Sequence, residues 1–401
     1  MQNSAYNYKE ERNPACPPVP PSLCSCTMKI ALNLQPAVTQ QAGIGRYTRE
    51  LATHLLPLLS EETKLRLDFF DFRRNASIPA ELQKHPDLHP VRWIPGGIIQ
   101  KAWNHLSFPP YDWLHGRADV YHFTNFLAAP CKSGKRVASI HDLSFIRFPQ
   151  YTEPKNLRYL KKGIQRTASQ ADAIITISHF SAKEITTFLE IPDDRIFTTH
   201  LGVAPCFKKP APKAMDQFRT RNSITRPYLL TVGTVEPRKN IPFLISLYEQ
   251  MKDYEGDLLI AGGLGWRYEP ILKRMQESPR AKQIRRIGYM PEEDLPALYA
   301  SADAFLLPSF YEGFGLPPLE AMACQTPVIA SSGGSLQEVL QDGAIVLDHY
   351  DLDLWSEMLT KVLGDKTARS NLIKRGMHTA SQYTWTKTAQ QTLDVYRKIT
   401  Q

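Results

Sequence analysis

From residue 28 onward, short apolar runs alternate with longer stretches whose apolar positions are spaced for a helix. Residues 28–34 read as a buried strand, followed by the turn Gly43-Ile44-Gly45 and a helix to about Leu59. Residues 65–72, 119–123, 136–141 and 173–178 continue the strand series, with helical segments over 157–168 and 181–189. Strands alternating with helices pair in parallel through crossover connections, which predicts a doubly wound α/β sheet. Residues 204–214 carry three prolines and no periodicity, so they read as a linker. The alternation then restarts, with strands over 228–235, 257–261, 284–288, 304–307 and 328–330. A last helical stretch, 384–399, follows the second unit and is placed to pack back across the interface.

The chain of 401 residues exceeds the roughly 250–300 at which one hydrophobic core stops growing, in keeping with two units. The expected division is a first domain over 28–205, rejoined by the C-terminal helix 384–401, and a second domain over 218–383. In such sheets ligands bind beyond the C-terminal ends of the strands, here in a cleft between the two domains. Residues 1–27 are polar and proline-rich, without an apolar signal core, and read either as a disordered extension or as a start placed ahead of Met28.

At 42% hydrophobic and 22% charged, the composition excludes a wholly disordered chain. No apolar run approaches the roughly 18 residues that span a bilayer, so a cytoplasmic protein is expected. The net charge of +8 points to an anionic partner, and all of it falls in residues 1–210, which hold 26 Lys and Arg against 18 Asp and Glu. Six cysteines make no disulfide framework, and Cys24-Ser-Cys26 has no second Cys/His pair at finger-like spacing. Lys155, Arg158, Lys161, Lys162 and Arg166 put cations along one helix, read equally well as a solvated face or as contact with a membrane or anionic acceptor.

The chemistry concentrates after strand 304–307, in Glu312-Gly-Phe-Gly-Leu-Pro-Pro-Leu-Glu320. Gly313 and Gly315 permit a tight turn, and Pro317 and Pro318 suit the first turn of a helix. Free amides at that helix start favour an anion, and Glu320 can accept hydrogen bonds from a ribose diol. Either glutamate alone reads first as a cap, and it is the two at this spacing, with the glycines and the place after the strand, that point to a site. Gly233-Thr-Val-Glu-Pro-Arg238-Lys239 closes the first strand of the second unit, where Arg as a fork and Lys as a point charge can hold a diphosphate. Gly43 and Gly45 offer amides across the cleft, although one G-x-G lacks the third glycine of a dinucleotide fingerprint. His141-Asp142 ends strand 136–141. Asp351-Leu-Asp353 resembles a metal-binding pair but precedes a helix, where it reads as a cap.

Glu312 to Glu320, continued by Ala-Met-Ala, Pro327-Val-Ile-Ala and Gly333-Gly334, resembles the Glu-x7-Glu signature of the family-4 retaining glycosyltransferases. The resemblance runs from Met28 to Gln401 and implies the GT-B fold, two facing Rossmann-like domains with a nucleotide sugar in the cleft. It implies Glu312 and His141 at the transferred sugar, with Glu312 positioning it and not acting as a covalent nucleophile. Gly313, Phe314, Gly315 and Leu316 would form the donor-sugar loop, and Gly43, Gly45, Arg238 and Lys239 would hold the donor diphosphate. Glu320 would take the ribose, and Gly288, Tyr289 and Met290 the nucleobase. Thr234 stands where the family often has a phosphate-binding arginine, a contact that Arg238 could replace. Gln325 stands where the family usually has glycine. The family needs no cofactor, and a metal-independent reaction is expected.

The patterns VGTVEPRKN, SIHDLSF and GIGRYT look most like bacterial mannosyltransferases of polysaccharide assembly. That suggests GDP-mannose as donor, and a glycan or lipid-linked saccharide acceptor at the inner face of the membrane. An epimerase of the same fold, a pyridoxal-phosphate phosphorylase and a non-catalytic nucleotide-sugar-binding protein are the rival readings. Nucleic acid is not an expected partner, for want of an aromatic–basic module. The basic first half implies a weak attraction to an anionic membrane surface.

Overall fold

The computed structural model describes residues 27–40 and 43–401, so the expected N-terminal extension lies almost wholly outside it. The first sheet contains β1 (Met28–Asn33), β2 (Thr63–Phe70), β3 (Leu88–Val91), β4 (Val120–Phe123), β5 (Lys135–Ser139), β6 (Ala173–Thr176) and β7 (Ile196–Thr198). They lie in the order β3-β2-β1-β4-β5-β6-β7. The second contains β8 (Tyr228–Val232), β9 (Asp257–Ala261), β10 (Ile284–Gly288), β11 (Ala304–Leu307), β12 (Val328–Ser331) and β13 (Ile345–Leu347), in the order β10-β9-β8-β11-β12-β13. Every pairing is parallel.

Helices cover both faces, which is why β4, β6, β9, β11 and β12 are buried at every position. Each sheet reverses its strand order once, between β1 and β4 and between β8 and β11. Those reversals part neighbouring loops and open a crevice at the strand ends. Gly43 and the 233–239 segment follow the central strands β1 and β8. Glu312 follows β11, so the sequence motifs gather at the two switch points.

Strands β3, β7 and β13 are absent from the sequence-based pattern. All three sit at sheet edges; β7 and β13 have only three half-buried residues each, and β3 contains Pro90. Proline cannot donate to a ladder and is tolerated at an edge, so the pattern there is interrupted where the structure is not. The expected linker is also shorter than 204–214, because Pro212 already opens the helix Pro212–Arg221.

The helix Trp385–Thr400 follows the second sheet but packs on the helix Ile44–Leu55 beside the first. Tyr396 Oη lies 2.5 Å from His122 Nδ1, and Thr388 Oγ1 donates to the His200 carbonyl at 2.6 Å. Trp385 reaches Tyr47 with ring centroids 6.3 Å apart.

The helix Leu316–Ala323 ends in a Schellman motif: Gln325 N–H donates to Met322 O and Thr326 N–H to Ala321 O. Gln325 therefore sits at φ 65°, the left-handed region that glycine adopts without steric cost. Gln325→Gly is expected to stabilise the protein by about 0.5–1 kcal/mol, the relief of Cβ strain exceeding the added chain entropy. Equilibrium urea unfolding measures it, and an unchanged or lower midpoint would show that Gln325 carries no strain.

Candidate active site

The loop after β11 carries Glu312 into the cleft, and its backbone is fixed by Gly334. Glu312 bridges Gly334 in parallel pairing, and a Cβ on Gly334 would fall 2.2 Å from the Glu312 carbonyl oxygen. The Glu312 carboxylate accepts from Lys239 Nζ and Ser309 Oγ, each at 2.6 Å, and from Arg238 Nη1 at 3.0 Å. Burial alone would raise its pKa, but the charges of Lys239 and Arg238 outweigh that and hold it at about 2. Glu312 is therefore an anion at any physiological pH.

Lys239 reaches it by laying its stem over Gly233, where any side chain would meet Lys239 Cε at 3.1 Å. Arg238 is more fully committed. Its guanidinium also donates to Glu236 Oε1 at 2.7 Å and to the Tyr311 carbonyl at 2.6 Å. Arg238 is thus built into the floor of the site, whereas Lys239 has the carboxylate as its one protein partner among the described residues.

Across the cleft, Gly313 meets His141-Asp142. A Cβ on Gly313 would lie 2.9 Å from Asp142 Cβ and 3.3 Å from the His141 carbonyl oxygen, so only glycine allows the two loops to close this far. His141 Nε2 lies 2.9 Å from the Thr124 carbonyl. A carbonyl only accepts, so Nε2 carries the proton and Nδ1 of the neutral ring keeps a lone pair. Burial lowers the His141 pKa, opposed by the Thr124 carbonyl and by Asp142. Thr124 therefore holds the ring, while Asp142 Oδ1 accepts from the Ser144 amide at 2.9 Å.

Tyr47 stands edge-on to His141 at 4.7 Å. Its hydroxyl joins Ser139 Oγ at 2.9 Å, which joins His122 and then Tyr396 of the C-terminal helix. This buried chain, invisible in sequence, braces the ring from the far end of the protein.

Glu320 does not share the Glu312 network. It is 2% exposed, and its carboxylate accepts from Arg46 Nη1 at 2.5 Å and from the Tyr299 hydroxyl at 2.9 Å. Arg46 comes from the first turn of the helix Ile44–Leu55, so this ion pair ties the two sheets together. Arg46 Nε lies 3.5 Å from Glu292, and its guanidinium sits 4.9 Å over the Phe207 ring. Glu292 also takes Arg49 at 2.7 Å.

Gly43 has φ 60° and open space where a Cβ would stand. Gly45 is explained by packing, because a Cβ there would fall 1.9 Å from the Gln40 carbonyl oxygen. Gly288 has φ 74°, Tyr289 is exposed and Met290 buried. Phe314 is buried edge-on to Tyr383, Gly315 has φ 101° and caps the helix that Leu316 begins.

Asp351 caps the helix Leu352–Gly364 by accepting from the Leu354 amide, so it is a cap as its position implied. Among the described residues one cluster with metal-ligand chemistry does form: His179, His200 and Glu338 bring ligand atoms within 4.8 Å of one another. The Glu338 carboxylate already accepts from the amides of His179 and Phe180 and from His200 Nε2, at 2.8–2.9 Å. It caps the helix His179–Leu189 from the other domain.

The first domain holds a pocket of about 780 Å³ at the C-terminal edge of its sheet, reaching Thr124 and Phe126 beside His141. Asn33, Gln35, Gln100, Asn104 and Asn125 line it together with Trp103 and Phe126. Amides beside aromatic rings, with Asp71, Arg73 and Arg166 also in the lining, suit a hydroxyl-rich ligand. None of these residues stands in a recognisable motif.

Two facing parallel sheets, with a Glu-x7-Glu loop over the cleft between them, define a GT-B glycosyltransferase. Residues 42–205 match the description Glycosyltransferase Family 4 and residues 214–379 match Glycosyl transferases group 1. The chain belongs to this glycosyltransferase family. It is 32% identical to the O-antigen chain mannosyltransferase B of Escherichia coli, over 93% of this chain and all of that one. It is 26% identical to the serotype-specific mannosyltransferase WbdA of Escherichia coli, over 72% of this chain and 36% of that one. In fold it is similar to the sucrose-phosphate synthase of Thermosynechococcus elongatus, with a TM-score of 0.72 at 20% identity, over 92% of this chain and 98% of that one.

Proposed function

We propose that this glycosyltransferase moves mannose from GDP-mannose, with retention, to a glycan or lipid-linked saccharide at the inner face of the membrane, in O-antigen-type polysaccharide synthesis. The observation that carries the reading is the Glu312–Lys239 pair lying where Gly313 meets His141 across the cleft. The 32% identity to an O-antigen mannosyltransferase supports mannose over other hexoses.

In this reading Lys239 turns from Glu312 toward the departing diphosphate and supplies its charge stabilisation. Arg238 keeps the Glu312 carboxylate ionised meanwhile. The diphosphate also meets the amides at the Gly43 and Gly315 helix starts. His141 Nδ1 accepts from a hydroxyl of the sugar, and the diphosphate takes the acceptor proton on the face it leaves. Glu320, released from Arg46 as the cleft opens to the donor, binds the ribose, with Gly288, Tyr289 and Met290 at the base. The amide-lined pocket takes the acceptor sugar.

Incubation with GDP-mannose and a mannoside acceptor should lengthen the acceptor and release GDP, with UDP-, ADP- and dTDP-sugars inactive and EDTA without effect. Turnover of another sugar nucleotide in preference to GDP-mannose would overturn the donor. A changed sugar nucleotide released without an acceptor would point to the epimerase.

A further inference from the structure

Of thirteen large hydrophobic side chains exposed among the described residues, five fall within the 21-residue stretch from Trp93 to Trp113. They are Trp93, Ile98, Leu106, Phe108 and Trp113; Leu106 is 73% exposed and Trp113 57%. The helix Gly96–Leu106 crosses the mouth of the amide-lined pocket. It turns Gly96, Gln100, Trp103 and Asn104 inward and leaves Ile98, Lys101, His105 and Leu106 in solvent. Its exposed face therefore sets Ile98 and Leu106 on either side of Lys101 and His105, apolar and basic groups mixed at helical spacing as in an interfacial segment.

Phe108 and Trp113 continue this face in a T-shaped contact, with ring centroids 5.6 Å apart, and Lys132 Nζ stands 5.2 Å over the Trp113 ring. On the other side of the mouth runs the helix Pro154–Gln170, bound to the first by Arg166, which donates to the Trp103 carbonyl and to Ser107. Its solvent face carries Arg158, Lys161 and Lys162. Aromatic and aliphatic side chains fringed by cations are complementary to one surface above others, an anionic bilayer.

We propose that the face formed by the helix Gly96–Leu106, Phe108 and Trp113, flanked by Arg158, Lys161 and Lys162, docks on an anionic lipid bilayer. The mouth of the amide-lined pocket then opens at the headgroups. A saccharide still attached to its lipid can enter from there without leaving the membrane. This last step rests on the reading of the pocket as the acceptor site, whereas docking itself does not.

The test is flotation of the full chain with vesicles of phosphatidylcholine alone and with about one-third phosphatidylglycerol added. The expected result is binding to the anionic vesicles, weakened about tenfold or more in a Leu106→Ser/Phe108→Ser/Trp113→Ser variant and in a Lys161→Gln/Lys162→Gln variant. Transfer from GDP-mannose to a short soluble mannoside should stay at the wild-type rate in both. Wild-type chain that ignores both vesicles, or variants that bind like it, would overturn the proposal. So would a dimer in solution that the triple variant dissolves, since the face would then cover a second copy. Failure of GDP-mannose turnover with vesicle binding intact would instead count against the catalytic reading alone.

Discussion

Lys239→Ala is expected to lower kcat/KM by about 10²–10³-fold, the scale of removing one preorganised group that stabilises charge in a transition state. The fold should survive, because Glu312 keeps Arg238 at 3.0 Å and Ser309 at 2.6 Å and is not left as a lone buried charge. The same change should move the pH profile in a known direction. Lys239 is the strongest of the charges holding the Glu312 pKa at about 2. Removing a cation disfavours the carboxylate, so that pKa climbs toward the ordinary carboxylate range and the acid limb of the rate profile climbs with it. A lysine that only filled space would move neither quantity. Rates within a few-fold of wild type, together with an unmoved acid limb, would remove Lys239 from the chemistry and the donor-phosphate reading with it.

The fold was legible wherever a strand is buried on both faces. The runs LLTV, LLIA and AFLL have one reading, because parallel strands under helices are apolar throughout. The edge strands β3, β7 and β13 were not legible, since three half-buried residues, or a run interrupted by Pro90, make no pattern, whereas the edge strand β10 was read at its observed position. At the site, the short motifs placed Glu312 and Lys239 on loops, and Glu320 in the helix that follows, all of which the structure brings to the cleft. Their partners were hidden by separation along the chain. The sequence joins Glu312 and Glu320 as a pair in one motif, yet the structure gives the first to Lys239 and the second to Arg46. Arg46 lies inside the Gly43-Ile-Gly-Arg-Tyr47 segment, where the glycines draw attention and the arginine carries no motif of its own. Its one signal is burial, and burial of a guanidinium is intelligible only once an acid 274 residues away is found beside it.

That pairing carries the second large effect. Arg46→Met is expected to cost about 3–5 kcal/mol of stability, the usual result of leaving one partner of a buried ion pair uncompensated. Glu320 would keep only the Tyr299 hydroxyl, at a position 2% exposed. Methionine is chosen because it keeps the apolar contact with Phe207 that the arginine stem and guanidinium make. The effect should be strongly non-additive. Joined to Glu320→Gln, which removes the buried charge and still accepts from Tyr299, the double variant should recover most of the loss. Since Arg46 and Glu320 stand on different domains, the coupling energy also measures how firmly the cleft is held closed without a ligand. Chemical denaturation of the wild type, both single variants and the double variant gives that coupling without any assay of transfer. Single losses that simply add would mean that the two side chains stabilise their own domains independently, and that nothing between Arg46 and Glu320 holds the cleft.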